Sequence, residues 1–448
     1  VDLPGFVWLD SCYPLTQGTR YDIISALPYR TFKTQAGLTT LNEESGQITV
    51  LSDVDPINVL KQHLPHSILE NNEDLPFVGG LIGFFGYELG KLLEPAASVH
   101  HPKILNATFP QMMMGLYDWT IVVDHLKQKT VCVFGENDPL INIKREQILT
   151  LLRSPEKTSC PSFTLTSPWQ SSFSKEAYAA AFHQIKAYIH AGDCYQVNLS
   201  QSFSAHYRGD PFGFYQQLRM KNPAPFSAFL RYPDFQIASC SPERFLSANK
   251  SVIETKPIKG TRPRFADPIK DKESANTLLA SEKDKAENLM IVDLLRNDLS
   301  KICENHSVNV EALFKLESYT SVHHLVSTIS AKLARDNHLC DLISACFPGG
   351  SITGAPKIRA MQIIDELEPH LRGIYCGSIA YLSYNHRMDS NIAIRTLMCS
   401  QNHVVCHAGG AIVADSELEQ EYAECFHKIS AIFSTLEAIS IPFGQATG

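Results

Sequence analysis

Four cationic side chains, Lys256, Lys259, Arg262 and Arg264, crowd the stretch "ETKPIKGTRPR" at residues 254–264. Lys259, just before Gly260, poses the chemical question: an amine in a turn is either a solvated charge or a nucleophile. The segment "SPERFLSANKSVIETKPIKGT" has the β-rich arms and central turn of a hairpin. Folded about residues 249 and 250, it places Glu243 roughly opposite Lys256, with Lys259 on the order of 10 Å further along the strand. Glu243 and Lys259 then share one end of the hairpin. A carboxyl and an amine there make either an acid–nucleophile couple or a surface salt bridge, and spacing leaves both open.

Two further sets have chemical potential. Asp284 and Glu287, and likewise Glu421 and Glu424 with Lys428 one turn on, stand at helical spacing. If the two acidic faces meet, they offer the oxygen ligands that magnesium prefers; if not, they are solvated helix faces. The glycine-rich segments "FPGGSITGAPK" (347–357) and "AGGAIVADS" (408–416) read as loops whose amides can cradle an anion, with Thr353 and Lys357 adding to the grip. Turn chemistry alone explains them equally well. His323 and His324 in "SVHHLVSTIS" read as packed residues or as a catalyst.

These residues must be positioned by a mixed architecture. Short β-rich runs alternate with turn clusters between residues 20 and 135, predicting a mainly antiparallel sheet. A polar segment from about Asn137 to Gln170 reads as a linker. Ser174 starts a helix over "KEAYAAAFHQIKAYIHAG" that Gly192 stops. "SANTLLASEKDKAENLMIVDLLRNDLSKI" reads as two helices or one with a weak middle, and "ELEQEYAECFHKISAIFSTLEAI" as a last helix. Strand meanders with helices between groups, and no βαβ rhythm, predict an α+β fold.

Composition sets the outer bounds. The 448 residues include 44% hydrophobic and 19% charged side chains, an ordinary globular profile. A net charge of −8 supplies no basic field for phosphates, so no nucleic-acid partner is expected. Twelve cysteines, none in a C-x-x-C pair, disfavour a zinc ribbon or thioredoxin-type site and read as reduced core thiols. The run "VGGLIGFFGY" is too short to span a bilayer, and "VDLPGFVWLD" has no signal-peptide core. The expectation is a soluble cytoplasmic protein with no membrane partner.

Taken in order, "GDCYQVNLSQ", "SPERF", "PIKGT", "AENLMIVDLLRNDL", "HHLVS", "FPGGSITGAPK", "GSIAYL", "NIAIRT", "AGGAIVADS" and "EYAECFHK" resemble the chorismate-utilising enzyme family. "NEDLPFVGGLIGFFGYELG" and "YDW" resemble its amino-terminal part. The resemblance is nearest to the large subunits of aminodeoxychorismate synthases, which carry P-I-K-G-T where anthranilate synthases have P-I-A-G-T. Gln196 stands where isochorismate and salicylate synthases have a water-activating lysine. The implied fold is that of anthranilate synthase component I: two large, mainly antiparallel sheets packed as a sandwich, with helices outside. The implied organisation is an amino-terminal region over 1–155 that contributes to the sandwich, and a chorismate-binding catalytic region over 172–437.

The resemblance implies a reaction of chorismate with ammonia giving 4-amino-4-deoxychorismate, a folate precursor. Lys259 would attack the ring and Glu243 would protonate the departing hydroxyl, its pKa raised by burial and neighbouring carboxylates. Lys259 would be depressed by burial beside Mg2+ or Arg. Mg2+ would be held by Glu287 and Glu424, with Asp284 and Glu421 on its waters. Arg395, Tyr375, Lys428 and the Gly409 and Gly410 amides match groups for the substrate carboxylates; Thr353, His324 and Gln196 match residues around the ring. A separate glutamine amidotransferase subunit would supply ammonia in a heterodimer. Ser11, Arg20, Tyr21, Asp22, Pro225, Phe226 and Ser227 match a tryptophan pocket, or else form a plain packing interface between sheets. The rival readings are an anthranilate synthase component I, which shares every site but the lysine, and an inactive tryptophan-binding regulatory subunit.

Overall fold

The computed structural model describes residues 1–14, 16, 19–64, 74–99, 109–153, 162–319 and 322–439. Its strands form two sheets of 12 strands each, and every pairing among the described residues is antiparallel. The first sheet runs Thr164–Leu165, Gln196–Arg208, His403–Ile412, Thr396–Ser400, Phe235–Ser241, Phe226–Arg231, Val7–Asp10, Tyr21–Ser25, Trp119–Asp124, Lys129–Phe134. The second begins with Ile258–Pro263, Val322–Lys332, Val252–Thr255 and Arg244–Asn249. It continues through Arg387–Asn391, Ser378–Ser383, Gly80–Phe85 and Met112–Tyr117 to a three-stranded edge meander, Arg30–Gln35, Leu38–Glu43 and Ile48–Leu51. Residues before 155 and after 172 contribute strands to both sheets. Among the described residues no helix is long and apolar enough to cross a membrane.

The sheets pack face to face, as the α+β sandwich expected from the sequence. Side chains two apart along a strand share a face, so Val7, Ile23, Leu230 and Ile237 of the first sheet meet Ile82, Phe84, Tyr117 and Ile379 of the second. Phe84 stands edge-on to Phe235 across the interface, centroids 6.0 Å apart. The glycine-rich apolar run is the central strand Gly80–Phe85, buried at every position. Helices cover the outer faces; Pro211–Lys221, for example, sets Phe212 5.1 Å from Phe229.

Local signals place the elements around the site. Ser174 caps helix Lys175–His190 by accepting from the Ala177 amide at 3.2 Å, and Gly192 beyond its end takes φ +81. The long helical segment is two helices, Pro268–Ala280 and Glu282–Ser300, broken at Ser281. Ser281 has extended backbone and accepts from the Asp284 amide at 3.2 Å. That break puts Asp284 in the first turn of the second helix, where the partial positive charge of the helix end favours a carboxylate, and Glu287 one turn further on. The final helix spans Leu418–Ile439.

Three expectations change. The hairpin turns at Lys250 and Ser251, with Lys250 at φ +58, pairing Asn249 with Val252 and Ser247 with Glu254. The arms therefore slide by two residues relative to the sequence reading, and it is the Ile258 amide that acts on the Glu243 carboxyl. A period-two pattern cannot detect such a slip, because every side chain keeps its face. "AGGAIVADS" begins as strand, not loop: Gly409 and Gly410 lie in His403–Ile412, paired with Ser200 and Leu199. The expected linker opens, as its sequence suggests, with a helical stretch, Ile141–Arg153, but beyond it carries the short strand Thr164–Leu165 and ends in another at Gln170–Ser171, and its 154–161 portion lies outside the described residues.

The sandwich interface predicts a stability contrast. Phe84→Ala should lower the unfolding free energy by about 3–5 kcal/mol, whereas Ile48→Ala, on a strand edge and 65% exposed, should shift it by less than about 0.5 kcal/mol. Urea unfolding followed by tryptophan fluorescence measures both; equal losses would deny that the two sheets share this core.

Candidate active site

A cavity of ≈ 920 Å³ is lined from seven elements: the strands Gln196–Arg208, Ile258–Pro263, Val322–Lys332 and His403–Ile412, the turn Gly350–Ile352, and the helices Glu282–Ser300 and Leu418–Ile439. It brings together Lys259, Glu243, His324, Tyr375, Arg395, Gly409, Lys428, Asp284, Glu287, Glu421 and Glu424. Gly260 lets this happen. It takes φ +81, and a Cβ there would stand 2.9 Å from the Asp284 side chain, so only glycine lets the lysine strand lie against the acidic helix.

Lys259 and Glu243 are displaced in opposite directions. Burial lifts Glu243 to about 7, although the Ser351 hydroxyl, Lys259, the Ile258 amide and Lys428 all pull it down. The cause is therefore burial alone, and not neighbouring carboxylates as the sequence suggested. Burial depresses Lys259, and Lys428 adds to this against the opposing pull of Glu287 and Glu243; the arginine expected beside it is not among the causes. What exposure Lys259 keeps is toward the cavity. A carboxyl that holds its proton near neutrality and an amine that loses its proton more readily are suited to acid and nucleophile roles.

Arg395 is the complementary group. Its backbone sits at φ +51, unusual for a side chain of this size, and burial depresses its guanidinium. Among the described residues its side chain has no ion-pair or hydrogen-bond partner, so it is available to an anion. His324 hydrogen-bonds Thr261 Oγ1 through Nδ1 at 2.9 Å and is held at about 4 by burial and by Arg395, hence neutral. His323 points the other way, to Asp271 at 3.1 Å and Ser318 at 2.8 Å.

The carboxylates come from two helices. Glu287 and Glu421 are both raised, by burial first and then by acidic neighbours, Asp284 and Glu424 for Glu287 and Glu424 for Glu421. Burial also pushes Glu424 up, but the Lys428 ammonium 2.6 Å away brings it below the ordinary value. At Gly410 a Cβ would stand 2.9 Å from Glu421 Oε2 and 3.8 Å from Glu424 Oε1, so the strand approaches these acids only because it carries glycine. Among the described residues no three acidic, His or Cys side chains are already gathered closely enough to enclose a metal ion. A hard divalent cation that takes one or two carboxylates and completes its shell with water and substrate oxygens fits such a donor set.

Other expected residues fall outside the cavity wall. Gln196 is fully buried with neither amide atom partnered, and Thr353 is buried with its hydroxyl donating to the Gly349 carbonyl at 3.0 Å. Lys357, expected to help grip an anion, pairs instead with Asp298. Lys428 is already held by Glu424 and the Gly409 carbonyl, at 2.6 and 2.9 Å. Asn198, Ser351, Arg262 and His407 line the cavity unanticipated; Asn198, Ser351 and Arg262 lie within motifs already singled out, whereas nothing local marks His407.

A second cavity of ≈ 440 Å³ lies between the sheets, bordered by Ser11, Arg20, Tyr21, Pro225, Phe226 and Ser227. Asp22 stands behind it, accepting from the Ser11 amide and hydroxyl at 2.9 and 2.7 Å. Lys256 borders this smaller cavity and Lys259 the larger; Pro242 and Ile258 border both.

A family profile described as chorismate binding enzyme matches residues 5–434. The chain is 48% identical to aminodeoxychorismate synthase component 1 of Klebsiella aerogenes over 97% of its own length and 94% of that protein. It is 47% identical to the Escherichia coli (strain K12) protein of the same name, with the same coverage. The crystal structure of anthranilate synthase component I from Streptococcus pneumoniae TIGR4 superposes with a TM-score of 0.81 at 32% identity, covering 92% of each chain.

The displaced Glu243 predicts a pH-dependent stability difference. With a folded pKa raised to about 7 from an ordinary 4.5, the contribution of the protonated group to stability is fully present below about 4.5, where both states carry the proton, and falls between 4.5 and 7 as the unfolded state alone ionises. That advantage is lost as pH rises through 7, where the buried carboxyl must ionise. Relative to its parent, Glu243→Gln should therefore gain up to roughly 3 kcal/mol on going from pH 4 to pH 8. Urea unfolding of both proteins at the two pH values measures this; a pH-independent difference would show that Glu243 is not held protonated.

Proposed function

Because the chain belongs to the family of chorismate binding enzymes, we propose that it aminates chorismate with ammonia to give 4-amino-4-deoxychorismate, through a covalent bond between Lys259 and the substrate ring. One observation carries this reading: a depressed buried amine and a raised buried carboxyl line one cavity with an unpartnered guanidinium. The activity in the names of the relatives above supports it. An anthranilate synthase needs no amine at this position.

The steps follow from the side chains. Arg395 takes a substrate carboxylate in its planar fork, with Tyr375 and the Gly409 backbone beside it. The Lys259 amine forms a bond to C2, the ring electrons shift, and the C4–oxygen bond breaks. Glu243 gives its proton to the departing hydroxyl, which leaves as water. The new C2–nitrogen centre sheds a proton, which the Glu243 carboxylate left by the first step takes up. Ammonia then bonds to C4, the electrons shift back, and the C2–nitrogen bond breaks as the lysine nitrogen takes back a proton from Glu243, which the C4 nitrogen then reprotonates. The nitrogen at C4 loses one proton, so the net change is hydroxyl for amine with release of water. His324, neutral and tied to Thr261, borders the ring.

Glu287 and Glu424 would hold Mg2+, with Asp284 and Glu421 on its waters, and the ion would offset the charge of a substrate carboxylate among these acids. Glutamine hydrolysis needs an accessible thiol of lowered pKa. All eleven cysteines among the described residues have thiols pushed up, with burial the largest cause in each. A separate amidotransferase subunit is therefore the proposed ammonia source.

Chorismate and Mg2+ without ammonia should leave an adduct on Lys259 with the mass of chorismate less one water, found by rapid quench and peptide mapping. Lys259→Ala and Lys259→Arg should abolish it, the latter because guanidinium stays protonated. Its formation should slow as pH rises above about 7, when Glu243 loses the proton it must donate. Full turnover in Lys259→Ala would show that ammonia attacks directly, and fluorescent anthranilate as product would replace the reading with its rival.

Metal binding gives a second test. Glu287→Gln should weaken Mg2+ binding in calorimetric titrations at least tenfold while the unfolding midpoint stays within a degree or two. Unchanged affinity would remove Glu287 from the metal site.

A further inference from the structure

The ladder that carries Asn198 and Gly409 into the active site ends, at its other extremity, on two histidines. Strands Gln196–Arg208 and His403–Ile412 pair antiparallel from Val197 with Ile412 to His206 with His403. That last pair lies about 25 Å along the strand from Asn198. The backbone of His206 turns away from its partner: its amide donates to Ser167 Oγ at 2.8 Å, and its carbonyl accepts from the Thr166 amide at 2.8 Å. The next amide, that of Tyr207, donates to the Asn402 carbonyl at 2.8 Å. His206 and His403 are therefore a non-hydrogen-bonded pair, the antiparallel position at which opposed side chains come nearest. Their rings stand 4.0 Å apart, centroid to centroid, with planes tilted by 49°. Both residues are exposed, and among the described residues neither ring has a hydrogen-bond or ion-pair partner.

Both backbones are fixed in advance. Ser167 and Thr166 hold His206 from one side. His403 follows a two-residue turn, Gln401 and Asn402 at φ +48 and +65, that pairs it with Ser400. Ligands placed in this way lose little freedom on binding. Imidazole nitrogen is a ligand of borderline dications such as Zn2+, Ni2+ and Cu2+, whereas Mg2+ selects oxygens. Two nitrogens on one tetrahedral zinc ion, each about 2.1 Å from it, stand about 3.4 Å apart. Exposed rings at the observed separation reach that spacing by turning about χ2, a soft torsion in histidine. We propose that His206 and His403 form a two-nitrogen site for a dication of the zinc, nickel and copper class, which staples the two strands at this end of the ladder. Among the described residues no group of three His, Cys or acidic side chains is gathered, so water completes the metal's shell. The site is separate from the acidic groups of the larger cavity in place and in donor type, and it stands whether or not those groups hold Mg2+.

Calorimetric titration of the whole chain with Ni2+ and with Zn2+ tests the site, with Mg2+ present throughout to occupy the acidic groups. The parent should bind one ion at least tenfold more tightly than His206→Ala or His403→Ala. The two variants should lose the same amount, and the double variant no more, because a chelate needs both nitrogens. The chain has 17 histidines, and whatever the others bind is common to all four proteins. Hydrogen exchange gives a second readout: Zn2+ should slow exchange of the Tyr207 amide at least threefold in the parent and leave it unchanged in the variants. Unfolding midpoints without added metal should agree within about a degree, as expected for exposed positions. His206→Gln and His403→Gln repeat the comparison if alanine lowers the midpoint. Equal affinity in the parent and both single variants would overturn the proposal. So would unequal losses that add in the double variant, which mean two independent imidazoles, or Tyr207 exchange that Zn2+ leaves unchanged in the parent.

Discussion

A single buried guanidinium ties the active-site walls together. Arg372 is 1% exposed, yet each of its nitrogens is occupied. It bonds both oxygens of Glu368 at 2.9 and 2.7 Å, the Ile352 carbonyl at 3.0 Å and the Asn198 carbonyl at 2.9 Å. Ile352 belongs to the Gly350–Ile352 turn and Asn198 to the strand Gln196–Arg208, so one side chain fixes two walls of the cavity. Glu368 reaches further by accepting from the Ser200 amide and hydroxyl at 2.7 and 2.8 Å. The arginine also lies over the Tyr87 ring at 4.6 Å. Such a pair is expensive to desolvate, and removing one partner typically costs 3–5 kcal/mol because the other charge is left stranded. Its value here is geometric: it sets several backbone positions that no apolar core could specify.

The cavity depends on that rigidity because its charges are not self-satisfied. Lys259 and Arg395 are depressed by burial, Glu243 and Glu287 raised by it. Left to relax, these groups would swing together or out to water, and the displaced proton affinities would disappear. The surrounding strands hold them apart. Desolvation thus acts as a chemical resource only where the backbone is fixed from behind, and the Arg372–Glu368 pair supplies that fixing on one side.

The sandwich explains how two cavities can neighbour each other without merging. The segment that carries Lys256 and Lys259, running from the end of Val252–Thr255 into Ile258–Pro263, passes between them, and Pro242 and Ile258 belong to both walls. The larger cavity opens among the helices and strands of the carboxyl-terminal half. The smaller lies between the sheets, where Leu9 and Ala228 of one face Ile379 and Tyr381 of the other. Displacement of this shared segment would be felt in both cavities, since each contributes one face of it.

What the sequence determined by itself was local or was encoded in ordered motifs. Ser174 and Ser281 announce helix starts because a hydroxyl at that position satisfies an amide a few residues on. Asp284 with Glu287, and Glu421 with Glu424, share helix faces through periodicity alone. The α+β class followed from strand meanders without βαβ rhythm, and the ordered motifs pointed to the chorismate-utilising family. The tertiary structure decided everything that depends on burial or on register between distant strands. The hairpin slip moved its arms by two residues, and neither turn chemistry nor alternation specifies such a shift. Gln196 and Thr353 fell behind the cavity wall and His407 in front of it, although none differs in local pattern from ordinary strand or turn residues. Glu368 and Arg372, four residues apart, carry nothing in the sequence that marks them off from any other nearby pair of charges. Only the packing of both sheets and the neighbouring helix around them removes water and makes that pair the anchor of the site.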